Sequence, residues 1–318
     1  MRHFYQKVLA GTGSIDPVGA VRERLGKAST RPTLIEEGLR KCRDITKKYG
    51  TSFYFATQFF PDEVKQGIYA VYAFARIPDE IVDDPDNKDR EDAVKRLEAW
   101  RQNWLRSMQR GYSSDPVMAA IVYVFDKYEI PVETGEAFLR SMFMDMEKST
   151  YADYEELEEY MYGSAAVIGL MVTRIVGFQS EKAFPYAEKL GHAFQLTNFL
   201  RDIRQDCDDL GRIYMPLDEM KEAGLAPANI KARIYDQRFV DFMKSQIARN
   251  REVYREALPG IRLLKWRGRL AVKISFVLYK GILEEIEHAD YDIFRGRVRT
   301  SFGRKLWLTA KVMIGKYE

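Results

Sequence analysis

An all-α fold is the expectation from this sequence, and three observations carry it. Apolar residues recur at helix-face spacing over long stretches, while the alternation of a half-buried strand is almost absent. Hydrophobic residues make up 46% of the 318, enough for the core of one large helical domain. Two acidic segments, more than a hundred residues apart, each carry side-chain oxygens four residues apart, a spacing that a helix aligns on one face.

The elements follow in order. Residues 1–32 read as an irregular arm with Gly11, Gly13, Pro17 and Gly19. A helix begins near Pro32 and ends at Gly50, and Thr51, Ser52 and Phe53 follow it. Gln58 to Pro61 breaks the chain, and Asp62 caps a helix that runs to about Asp84. PDNKD is a turn, and residues 88–110 form an amphipathic helix carrying Leu97, Trp100 and Trp104. Asp115-Pro116 starts a helix from Val117 to about Tyr128. Pro131 starts another, which holds Phe138, Leu139, Met142 and Phe143 and ends with Asp145 and Glu147. Tyr151 to Glu155 is a short connection, and a long helix spans Leu157 to Val176. Its middle is small: Gly163, Ser164, Ala165, Ala166 and Gly169. Small residues mean close helix packing first, and room for a long apolar ligand second. Gly177 to Ser180 is a turn, residues 181–210 are the central helix, and GRIYMP ends it. A short capped helix covers Asp218 to Glu222, and two more span 236–257 and 260–288. No fixed-period repeat is present.

Composition narrows the function. Net charge is +3 with Lys and Arg scattered, so a nucleic-acid partner is not expected. Cys42 and Cys207 have neither zinc nor disulfide spacing and fit a reducing, cytoplasmic compartment. His3, His192 and His288 form no cluster, which argues against zinc or His-centred catalysis. The N-terminus lacks a secretory apolar run, and no uninterrupted apolar stretch of about 18 residues exists. The tail from Arg295 to Glu318 carries seven Lys or Arg against one Glu, interleaved with Trp307, Leu308, Val312, Met313 and Ile314. It is either an interfacial helix on an anionic membrane or a helix docked on the domain with its basic face in water.

The chemistry centres on QLTNFLRDIRQDCDDLGRIY, Gln195 to Tyr214, where Asn198, Asp202 and Asp206 are four apart. Four residues turn a helix by about 400°, so these oxygens share one face. Leu196, Phe199, Leu200 and Ile203 beside them are apolar. Buried carboxylates need a cation, a proton or a hydrogen bond to compensate them. Hard oxygen ligands with open positions suit Mg²⁺, which keeps waters and takes phosphate oxygens. The alternative is a solvated acidic helix face. A second segment, YAVYAFARIPDEIVDD, repeats the spacing with Asp79 and Asp83 and adds Glu80 and Asp84. Facing each other across a bundle, the two would wall a metal–diphosphate site.

Four pieces occur in order: TSFYFA, YAFARIPDEIVDD, YMYGSAAVIGLM and FQLTNFLRDIRQDCDDLGRIYMP, followed by SFVLYKGILEEIEHADYDIFRGRVRTS. On these the chain resembles the squalene and phytoene synthases from about Lys47 to Lys305, its phytoene branch most of all. The resemblance implies a single-domain isoprenoid synthase-type helical bundle with a central cavity. Residues 33–294 would be the prenyl-coupling domain and 295–318 a tail packed on the domain or on the inner face of the membrane. Two prenyl diphosphates, geranylgeranyl diphosphate in the phytoene branch, would bind in one cavity. Mg²⁺, with Mn²⁺ as a substitute, would be held by Asp79, Asp83, Asn198, Asp202 and Asp206. Ser52, Arg76 and Arg201 match positions that contact diphosphate. Tyr72, Tyr160, Gln195, Arg212 and Tyr214 match positions lining or flanking the site, with Tyr160 and the four aspartates as the catalytic set. Phe53, Ala165 and Phe194 would line the apolar cavity.

The implied reaction is 1-1′ coupling to phytoene through a cyclopropylcarbinyl diphosphate, the first step of carotenoid biosynthesis, with no NADPH. No dinucleotide fingerprint is present. The alternatives are a C15-using dehydrosqualene or squalene synthase and, from another class, a non-catalytic membrane or assembly subunit. The five intact ligands speak against the last. Arg76 and Arg201 also stand close enough to an Asp to be structural ion-pair partners. Two features depart from the family pattern. The loop QDCDDLGR is one residue longer than the common form, which is expected to shift Arg212. Ala166 stands where many relatives have Gly, which is expected to narrow the tail cavity.

Overall fold

The chain folds as expected into helices, described over residues 31–84 and 90–316 of a computed structural model. The arm over 1–32, apart from its last two residues, and the PDNKD turn lie outside the described residues. Helices α1 (Arg31–Tyr49), α2 (Thr51–Thr57), α3 (Asp62–Val82), α4 (Arg90–Arg110), α5 (Pro116–Lys127) and α6 (Val132–Glu147) make the first half. Strand β1 (Thr150–Tyr151) leads into α7 (Tyr154–Met161) and α8 (Val167–Val176). The long α9 (Ala183–Leu210) is followed by β2 (Ile213–Pro216), α10 (Leu217–Glu222), α11 (Pro227–Lys231), α12 (Gln237–Ala257), α13 (Trp266–His288) and α14 (Phe302–Met313).

Two apolar cores build the molecule. One gathers around α1, α3 to α6 and α8, where Phe74 packs on Trp104, Phe125 and Phe138 at ring separations of 5.0, 5.2 and 5.7 Å. The other gathers around α7, α9, α12, α13 and β2. Helix α3 belongs to the first core and α9 to the second. The acidic segments therefore face each other across the seam between the cores. A buried polar set ties α9 to α12: Asn250 Nδ2 donates to Thr197 Oγ1 at 2.9 Å, and that hydroxyl lies 2.8 Å from the Tyr254 hydroxyl.

Three sequence expectations need correction. The helix drawn from Leu157 to Val176 is two helices joined by one π turn, Tyr162–Ala166, in which the Val167 N–H reaches back to the Tyr162 carbonyl. Small side chains at Gly163, Ser164 and Ala165 let the wider turn form, and such turns recur at functional sites. The GRIYMP ending and the Tyr151 connection form a two-stranded parallel pair, β1 against β2, in a chain expected to have almost no strand. This pairing is non-local and leaves no alternation in four residues. The helix drawn over 260–288 is a 3₁₀ turn, Leu258–Leu263, followed by α13 from Trp266.

The close-packing reading of the small residues holds at Gly163 and Gly169, and Gly191 of α9 packs as closely against the π turn from the other side. A Cβ on Gly191 would sit 2.6 Å from the Ala165 carbonyl oxygen and 2.8 Å from Ala166 Cα, both backbone atoms. Gly191→Ala is therefore expected to cost about 1–3 kcal/mol, read as a lowered melting temperature.

Candidate functional site

The seam holds an apolar cavity of about 310 Å³. Its walls are α2, α3, the π turn with α8, α9, the 3₁₀ turn and α13. The π turn directs both Ser164 and Ala165 at the cavity, while Gly163 packs on α6 beneath the Ala137 carbonyl. Ser164 and Ala165 thus fit the ligand-space reading, and Gly163 and Ala166 fit the packing reading. Phe53, Tyr72, Phe194 and Gln195 line the cavity as expected, and so does Asn198 at its polar end. The Phe53 and Tyr72 rings stack at 5.2 Å, and Phe194 stacks on Tyr279 at 4.2 Å. Ala166 is fully buried and is not a lining residue, so its methyl does not narrow the cavity as expected. The Ser52 side chain lies outside the described residues.

The acidic segments meet next to this polar end, and none of their aspartates is itself a lining residue of the cavity. Pro78, inside the last turns of α3, cannot donate to the Phe74 carbonyl, and Asp79 follows it. Arg76 Nη1 donates to Asp79 Oδ2 at 2.5 Å, and its other amino group grips Glu80. Asp83 closes α3 and takes Arg212 Nη1 at 2.7 Å. Gly211, with φ +68°, ends α9 in the left-handed conformation. The next N–H, that of Arg212, then bonds the Asp206 carbonyl at 3.0 Å. One residue, Arg212, thus joins both segments, directly after the C-cap of α9. Asp202 receives two bidentate forks: Arg201 at 2.9 and 2.5 Å, and Arg297 at 2.9 and 3.0 Å.

Electrostatics separates these carboxylates. Burial alone would raise Asp202, but the two guanidiniums hold it below the usual carboxylate range. Burial pushes Asp206 up to about 8, with the Asp202 and Asp83 charges adding to it. Asp79 is likewise raised, by burial and then by Asp83. Among the described residues Asp206 makes no ion pair. Between pH 4 and 8 the folded chain keeps a proton on Asp206 that the unfolded chain releases, so stability falls as pH rises through that window. Metal-free protein is therefore expected to melt at lower temperature at pH 8.5 than at pH 6.

Behind this wall lies a cluster that sequence spacing did not mark. Asp145, at the end of α6, accepts the Tyr160 hydroxyl at 2.6 Å and the Tyr214 hydroxyl at 2.9 Å. Arg212 Nε stands 4.0 Å from the same carboxylate. Burial raises Asp145 to about 6. Tyr160 and Tyr214 stack at 5.5 Å, and Phe199 stacks on Tyr214 at 4.2 Å. These tyrosines flank the site and do not line the cavity. Three residues were missed: Asp145, Tyr279 and Arg297.

A divalent cation fits this donor set in a particular way. No three carboxylate, imidazole or thiolate groups among the described residues converge enough to enclose an ion alone. Asp206, which has no ion-pair partner among the described residues, nevertheless lies near enough to Asp83 across the seam for that charge to help raise it. A hard cation there would complete its shell with water and substrate phosphate oxygens.

Comparison with known proteins decides the family. The squalene/phytoene synthase model matches residues 46–304. The chain belongs to the squalene/phytoene synthase family. Among curated relatives, phytoene synthase 1, chloroplastic, of Zea mays is 33% identical over 288 residues, covering 89% of this chain and 69% of the relative. The 15-cis-phytoene synthase of Synechococcus elongatus is 32% identical over 284 residues, covering 86% and 91%. In the family's solved structures, a dehydrosqualene synthase crystallised with a ligand superposes with a TM-score of 0.82 at 27% identity, covering 90% of this chain and all of that one. A squalene synthase from Alicyclobacillus acidocaldarius shares the fold with a TM-score of 0.72. The protein is thus a prenyltransferase of the phytoene synthase type with the all-α isoprenoid synthase fold.

Proposed function

We propose that residues 33–294 couple two geranylgeranyl diphosphates head to head, giving phytoene and releasing two pyrophosphates. The observation that carries this is the meeting of two acidic segments beside the polar end of one largely apolar cavity. The substrate choice draws support from length. Asn198 and Ala183 both line the cavity and lie fifteen residues apart on α9, about 22 Å along the helix. A three-bond extended repeat spans at most ~3.3–3.6 Å, so the fifteen carbon–carbon bonds along the length of a C20 prenyl group need roughly 17 Å. A C15 group needs roughly 13 Å on the same basis. The α9 wall is long enough for the longer group with its head at Asn198, which supports the C20 reading.

Asp79 and Asp83 on one side, with Asn198, Asp202 and Asp206 on the other, would hold Mg²⁺ or Mn²⁺. The bound cation would neutralise the charge that develops on the departing pyrophosphate. Arg76 and Arg201, each paired with an aspartate of this set, would contact the diphosphate, and Gln195 would line the site beside Asn198. Ionisation of one substrate gives an allylic cation. The second substrate's double bond attacks it, a proton is lost, and a cyclopropylcarbinyl diphosphate forms. Its ionisation, rearrangement and loss of a second proton complete the 1-1′ bond with no reductant. The walls around Phe53, Ala165 and Phe194 exclude water that would trap the cation as an alcohol. Tyr72 presents a ring face to the passing charge, and Tyr160, Tyr214 and Arg212 support the wall from behind. Incubation with C20 diphosphate and Mg²⁺, followed by hydrocarbon extraction and mass spectrometry, is expected to give an unreduced C40 product. C30 product alone, from C15 diphosphate, would replace this reading with the dehydrosqualene one.

The place of work follows from α14. No helix among the described residues is long and apolar enough to cross a membrane. Helix α14 buries Leu308, Thr309 and Val312 on the domain yet leaves Phe302, Leu306, Trp307, Met313 and Ile314 exposed. The docked reading holds, and the outer face of the helix is apolar with Arg304, Lys305, Lys311 and Lys316 around it. That pattern suits peripheral contact with an anionic bilayer at the cytoplasmic face. Vesicles containing phosphatidylglycerol are expected to co-sediment the protein. The combined Leu306→Ser, Trp307→Ser and Met313→Ser variant is expected to stay in solution with an unchanged melting temperature.

A further inference from the structure

Arg212 is placed where a cation would go. Its Nη1 lies 2.7 Å from Asp83, one of the carboxylates assigned to the metal, and its side chain is only 9% exposed. A guanidinium stays charged at any working pH, so Arg212, which already holds one Asp83 oxygen, competes with a divalent ion for this carboxylate, and an ion that takes both oxygens displaces it. The displaced guanidinium needs a second anion, because a buried charge without a partner is costly. Asp145 is that anion: it is buried, lies 4.0 Å from Arg212 Nε, and belongs to none of the spaced acidic motifs.

We propose that Asp145 is a positioning residue that receives the Arg212 guanidinium when a divalent cation takes Asp83. The Tyr160 and Tyr214 hydroxyls, one on each Asp145 oxygen, keep the carboxylate aimed and ionised for the exchange. Arg212 is shared between two anions in the metal-free protein. Without Asp145 its whole charge would rest on Asp83 and would compete harder with the metal. This inference rests on the metal reading above and concerns how the site is loaded, not which prenyl group it takes.

The test is calorimetric titration of Mg²⁺ into full-length protein saturated with inorganic pyrophosphate. Asp145→Asn is expected to weaken Mg²⁺ binding about tenfold, and Arg212→Gln to remove that dependence, so that Asp145→Asn has no further effect in the Arg212→Gln background. Equal weakening in both backgrounds would mean that Asp145 acts as a general support and would overturn the proposal. If Asp145→Asn does not fold, the wild-type crystal soaked with Mg²⁺ and pyrophosphate decides. The expected result is Arg212 within hydrogen-bond distance of Asp145 and away from Asp83. Arg212 still on Asp83 beside a bound ion would overturn the proposal. Absence of Mg²⁺ binding in every variant and in wild type would instead remove the metal reading itself, and this inference with it.

Discussion

Asp202→Ala is expected to lower turnover by about 10³-fold or more while leaving helical content, read by circular dichroism, unchanged. The size follows from what the carboxylate does. It is the common anchor of two bidentate guanidiniums, Arg201 from its own helix and Arg297 from a segment 95 residues later. It is also one of the oxygens that would face the metal. Its loss leaves two guanidiniums without their anion and removes a ligand at once. Loss of one preorganised electrostatic contact already costs about 10²–10³ in rate. Helix α9 does not depend on this side chain, because its burial rests on Leu196, Phe199, Leu200 and Ile203 and its lateral tie on Thr197. Activity within a few fold of wild type would remove Asp202 from the site.

Ala165→Phe is expected to abolish C20 coupling, or to move product toward shorter chains, with little change in pyrophosphate binding. Ala165 faces the cavity from the π turn, and a phenyl ring there would fill space a prenyl group needs. The diphosphate end is untouched, because Asn198 and the aspartates lie on other elements. Product analysis with C20 and C15 diphosphates in parallel checks this. Undiminished C40 formation would mean that the π turn packs helices and does not shape the prenyl-binding space.

These expectations show how far residue spacing reaches. Four-residue spacing on α3 and α9 identified Asp79, Asp83, Asn198, Asp202 and Asp206 because a helix repeats locally, and apolar neighbours told that both helices were packed. The same logic could not find Asp145. It is a lone acid at the end of α6, and its meaning comes from Tyr160 on α7 and Arg212 and Tyr214 near β2. Arg297 escaped for the same reason. Its tail segment reads as basic charge, and only the tertiary fold brings it back onto Asp202. The π turn was hidden because small residues are compatible with a regular helix as well as a wider one. Ala166 misled because adjacent positions in that turn face different neighbours: Ala165 the cavity, Ala166 the α9 backbone at Gly191. Long periodic elements were legible, whereas contacts made by single residues from distant segments were not.

The most direct measurement is anomalous scattering from crystals grown with Mn²⁺ and inorganic pyrophosphate. Manganese peaks are expected between the two segments, ligated from Asp79 or Asp83 on α3 and from Asn198, Asp202 or Asp206 on α9, with the pyrophosphate between them at the polar end of the cavity. Peaks confined to one segment, or pyrophosphate bound away from the cavity, would contradict the shared site on which the proposed chemistry depends.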